Sequence, residues 1–109
     1  MAFYLVSGDH YIEMDNEGYE WIGNSLEYNP ILQERGVIGF CLRGDRIIPV
    51  VDLQKALNIR RATKKIYIIY RDVAFVFEYE KISSDPAERK KINLADIAMK
   101  VKESLGVEI

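Results

Sequence analysis

Short apolar runs broken by turn-forming residues set the pattern of this chain, the way half-buried strands are written in sequence. Phe3 to Val6 reads as a strand, Ser7-Gly8-Asp9 as a turn and His10 to Met14 as the return. From Asp15 to Asn29 the pattern weakens. Gly18, Gly23, Asn24 and Ser25 interrupt Tyr19, Trp21, Ile22 and Leu26, which predicts a loop with room for one short strand. Asn29-Pro30 has the form of a cap followed by a first-turn proline. With Gly36 as the stop, it predicts one or two helical turns.

The best-patterned stretch runs from Gly36 to Asn58. Val37 to Leu42 is apolar and partly β-branched, a strand covered over most of its surface. Arg43-Gly44-Asp45-Arg46 breaks the run, and Gly44 is free to take the positive φ of a tight hairpin turn. Ile47 to Val51 returns as a second strand. Pro49 has no N–H to give a ladder, so this strand is expected at a sheet edge or at a bulge. Asp52 is placed to cap a short helix whose apolar face is Leu53, Ala56 and Leu57.

Arg60 to Lys65 follows as a basic, polar linker. Ile66 to Tyr70 and Val73 to Tyr79 are strands around an Arg71-Asp72 turn. Ser83 to Arg89 is a loop in which Asp85-Pro86 and Glu88 have the form of a helical turn. Asn93 caps the last helix, whose Leu94, Ile97, Ala98, Val101 and Leu105 follow helical spacing up to Gly106. Strand alternation and this stripe predict a core of Phe3, Leu5, Ile38, Phe40, Leu42, Ile48, Val50, Leu53, Leu57, Ile68, Phe75, Phe77, Leu94, Ile97 and Val101. A one-residue slip of a strand would invert its set.

Composition narrows the classes. At 109 residues the chain has the size of one domain, and 49% hydrophobic content is enough for a packed interior. A net charge of -2 argues against nucleic acid or an anionic membrane as partner. One cysteine excludes an internal disulfide, and the opening residues lack a basic leader, so the expected compartment is the cytoplasm. No apolar run approaches the roughly 20 residues a membrane helix needs.

Candidate chemistry is sparse. His10 is the one histidine, and no second His or Cys stands at ligand spacing, so neither a metal nor a general base is expected there. Cys41 lies in an apolar strand with Arg43 as its nearest cation, the setting of a packing cysteine rather than a nucleophile. Glu78 and Glu80 alternate with Phe77 and Tyr79, placing two carboxylates on one strand face, where a solvated face is the commoner reading than acid–base work. Arg60, Arg61, Lys64 and Lys65 form a short basic patch. No cofactor loop is present. Arg43 beside Gly44 is either a turn arginine capping local carbonyls or a planar cation held out for recognition.

The run Gly39-Phe40-Cys41-Leu42-Arg43-Gly44-Asp45-Arg46-Ile47-Ile48-Pro49-Val50-Val51-Asp52-Leu53 resembles the core signature of CheW-like domains, the adaptors of bacterial chemotaxis. The Arg-Gly pair, the proline and Asp-Leu stand at the family's spacings, while Cys41 replaces its usual Asn. The resemblance implies a mainly β fold of small β-barrel lobes, with a short helix after Asp52 and a C-terminal helix. It implies a single domain over 1–109, with a first lobe at about 1–60 and a shortened second lobe at about 64–109. The function implied is a non-catalytic adaptor without cofactor. Its partners would be the regulatory domain of a chemotaxis histidine kinase and the cytoplasmic tip of a chemoreceptor, contacted through Arg43, Gly44, Asp45 and Pro49. A second lobe short of strands would leave Ile66–Tyr70 and Val73–Tyr79 with open edges, so a homodimer is a further expectation. The C-terminal helix folding over them with Leu94, Ile97 and Val101 is its competitor.

Overall fold

Tight turns and short apolar strands build two sheets around one core. The computed structural model describes residues 3–14, 18–34 and 36–105. In chain order the elements are β1 (Tyr4–Ser7), β2 (His10–Glu13), β3 (Trp21–Gly23), β4 (Asn29–Glu34), β5 (Val37–Arg43) and β6 (Arg46–Asp52). Then come α1 (Leu53–Leu57), β7 (Lys64–Tyr70), β8 (Val73–Tyr79), β9 (Lys81–Ser83), β10 (Lys90–Lys91) and α2 (Leu94–Ser104). The larger sheet has the order β3-β7-β8-β6-β5-β4, and the smaller one β10-β2-β1-β9. Each sheet draws strands from both sides of residue 60. The fold is mainly β, with the short helix after Asp52 and the C-terminal helix in place, but the sheets do not close into a barrel.

The main core lies between the two sheets and under α2. Leu5 and Ile12 of the small sheet meet Val51, Ile68, Phe75 and Phe77 of the large one, with Leu94, Ala98 and Val101 of α2. The opposite face of the large sheet carries Cys41, Ile48, Val50, Ile69, Ala74 and Val76, against which Trp21, Leu26 and Tyr28 pack. Both helices begin on side-chain caps. Asp52 accepts from the Gln54 N–H at 3.1 Å and Asn93 accepts from the Asp96 N–H at 3.1 Å. Each bond satisfies a donor that the first helical turn leaves open.

Several expectations need correction. Residues 29–34 form a strand, not helical turns: Asn29 pairs with Phe40, Pro30 with Gly39 and Glu34 with Val37. A proline costs least on the edge strand that β4 is, and Gly39 lets it approach, since a Cβ there would collide with the Asn29 carbonyl and the Tyr28 ring. Pro49 sits on an interior strand, where the parallel ladder to β8 starts one residue later at Val50. Pro49 pairs in regular register with Phe40, and the register shift lies further along, between Val37 and Gly39, across from Val50 and Val51. Lys64 and Lys65 belong to β7 rather than to a linker. Asp85-Pro86 forms a turn held by Ser83 and Asp85, without a helix.

The core list fails at two residues. Phe3 is 43% exposed just outside β1, and Leu42 is 72% exposed. Ile38, Phe40, Leu57 and Ile97 are half-buried, while the other members of the list are buried. The two hairpins expected in one lobe lie in different sheets, β1–β2 in the small and β5–β6 in the large. Strands β7 and β8 are interior, flanked by β3 along Tyr67–Ile69 and by β6 along Ala74–Val76, so only short stretches of their outer edges lack a ladder partner. Gly106 lies outside the described residues.

Candidate docking site

Strands β6 and β8 are parallel neighbours, so the turns that precede them emerge at the same end of the large sheet. β3 begins there too, because it and β8 both run antiparallel to β7. Three segments therefore meet at one rim: Glu20 at the start of β3, the Arg43–Arg46 turn and the Arg71–Asp72 turn. Gly44 takes φ +65° in the first central position of its turn, the conformation a type II′ hairpin requires.

Side chains tie the segments together. An Arg46 Nη1 donates to Asp72 Oδ1 at 2.8 Å across the two turns. The Arg43 Nη2 reaches the Glu20 carbonyl at 3.5 Å. Asp45 projects from the exposed tip. Leu42 and Ile47 stand directly opposite each other, 72% and 70% exposed. Such pairs share a face with Cβ atoms roughly 5 Å apart. That face is buried at Val51 and at Pro49 but bare at Ile47, so the hairpin runs out past its cover. Pro49 thus lies buried beneath the tip, away from Arg43, Gly44 and Asp45 on its surface.

The exposed apolar pair is what sequence reasoning missed. A strand-like run predicts burial, and nothing local distinguishes Leu42 from Cys41. The usable signal is position: residues flanking a two-residue turn sit where a sheet is least covered.

The other candidates disperse. Cys41 is buried at 4% exposure, and that burial raises its thiol pKa and disfavours the thiolate, an effect partly countered by the Arg43 cation. Glu78 and Glu80 do not act as a pair. Glu80 falls just beyond β8, where it accepts from the Gly8 N–H and lies 3.9 Å from Arg60. Glu78 joins a cluster at the far end of the sheet, with Arg61 donating to both Asp52, at 2.7 and 3.2 Å, and Glu78 at 3.1 Å. Gln54 adds two bonds to the Glu78 backbone, at 2.7 and 2.9 Å. His10 opens β2 as a half-buried residue. Among the described residues no group of three or more His, Cys, Asp or Glu is placed to hold a metal ion, and no helix is long and apolar enough to cross a membrane.

The geometry is that of a rigid hairpin presenting an apolar pair beside an arginine, a form suited to gripping another protein. No family model matches the sequence, and no curated protein does. Among solved structures, the scaffolding protein TtCheW from Thermoanaerobacter tengcongensis superposes with a TM-score of 0.56 at 17% identity. The match covers 75% of this chain and 60% of that one, and it shows that the chain has a CheW-like fold.

Proposed function

We propose that this protein is a non-catalytic adaptor of chemotaxis signalling that works in the cytoplasm. It docks on the regulatory domain of a chemotaxis histidine kinase, on the cytoplasmic tip of a chemoreceptor, or on both. The observation that carries this reading is the exposed Leu42–Ile47 pair beside Arg43 on a hairpin braced by the Arg46–Asp72 ion pair, within a fold similar to that of a scaffolding protein. The contact residues are Arg43, Gly44 and Asp45, with buried Pro49 shaping the strand beneath them. A rigid tip loses little conformational freedom on binding, which is where preorganised sites gain affinity.

The test is calorimetric titration with the kinase regulatory domain and with the receptor tip, using the parent and Arg43→Ala. Binding by the parent, weakened on the order of tenfold in the variant as for a hot-spot arginine, supports the reading. Absence of binding to either protein, or equal affinity of the variant, rejects it. Self-association is the competing assembly. Its motive is reduced in this structure, since β3 pairs with β7 along Tyr67–Ile69 and α2 packs over the core face of the strands expected to be open.

A further inference from the structure

Three two-residue hairpin turns among the described residues solve one backbone problem in two ways. Gly8 and Gly44 take the positive φ in the first two turns, at +55° and +65°. The turn between β7 and β8 has no glycine, and both Arg71, at φ +53°, and Asp72, at φ +62°, occupy the left-handed region. Asn-Gly suits such a turn best, whereas an arginine with its Cβ is disfavoured there. Residues held in that region against their preference concentrate at functional sites. Asp72 has a visible reason to be there, its ion pair with Arg46. Arg71 makes no ion pair among the described residues. Its guanidinium lies 5.3 Å from the centre of the Tyr70 ring, and Tyr70 is itself wedged edge-on against Tyr19. The side chain is exposed but steadied by that ring, a planar cation preorganised in space.

We infer that Arg71 is a second partner-binding residue of the docking site, acting with Arg43 from the neighbouring turn. The inference rests on the adaptor reading and names the chemistry of the partner: a protein surface with an apolar patch to receive Leu42 and Ile47, bordered by carboxylates that meet Arg43 and Arg71. Neither arginine has a carboxylate partner among the described residues, so both are available to supply that charge complementarity.

The experiment compares the parent, Arg71→Asn, Arg71→Gly and Arg71→Lys in titrations with the kinase regulatory domain and the receptor tip, with a thermal melt of each variant. Asn and Gly suit the backbone better than Arg, so both variants should melt at or above the parent temperature. Both should nevertheless bind roughly twofold to tenfold more weakly, with a shallower salt dependence, as when an interfacial charge is removed. Arg71→Lys, which keeps the charge without the plane, should fall between them and the parent. Such a loss of affinity in a protein that is no less stable is not what a turn residue alone would give. Parent-like affinity of Arg71→Asn and Arg71→Gly, alongside weakened Arg43→Ala, overturns this inference and leaves the adaptor reading intact. No binding by the parent to either probe removes both.

Discussion

Cys41 shows how a residue's surroundings decide its chemistry. The sequence already placed it in an apolar strand, and the structure buries it opposite Ile48 with its pKa pushed above the ordinary thiol value by desolvation. In the folded chain it should therefore react with iodoacetamide far more slowly than in urea. The sign of its pH effect follows: a proton held more tightly in the folded state contributes stability that is complete below the ordinary thiol pKa. That contribution disappears as pH rises through the raised folded value. Denaturant melts across the alkaline range should show Cys41→Val losing less stability than the parent, and parallel curves would contradict it. Asp52 was legible as a helix cap, but its pairing with Arg61 was not, because a basic run in sequence does not reveal which member turns inward. Asp52→Ala removes the cap and leaves Arg61 with Glu78 alone, so it should cost about 1–3 kcal/mol in equilibrium unfolding.

At the scale of elements, strands with clean turns were readable and those set by distant partners were not. β1, β2, β5, β6, β7 and β8 lie within a residue or two of the expected spans. β4 was misread because Asn-Pro followed by a short apolar run has the same local form in a helix and in an edge strand. Only the pairing with β5 decides between them. Burial along β5 was misjudged for two physical reasons: the register shift between Val37 and Gly39 changes the alternation, and the cover ends before the tip. The glycine at position 39 belongs to this geometry. Gly39→Ala should force β4 away from β5 and destabilise by about 1–3 kcal/mol, as overpacked sites do. Stability equal to the parent in urea would show that the edge strand yields without cost.

For the whole molecule, the candidate site was half legible. The Arg43-Gly44-Asp45 turn could be read from sequence; its neighbours Glu20, Arg71 and Asp72 could not, because they reach it only through the pairing of β6 with β8 and of β3 with β7. The same topology bears on assembly. With β7 and β8 internal and α2 packed over the core, light scattering should report a monomer at concentrations where an edge-paired dimer would show twice the mass. A stable dimer would restore the open-edge expectation. The central claim, that one end of the large sheet docks on a chemotaxis signalling protein, is tested most directly by mapping backbone amide shifts. The isotope-labelled protein is titrated first with the kinase regulatory domain and then with the receptor tip. The account predicts that the perturbed amides cluster at Tyr19–Trp21, Leu42–Ile47 and Tyr70–Asp72, with α2 and the small sheet unmoved. Perturbations centred on α2 or the small sheet, or none with either partner, would contradict it.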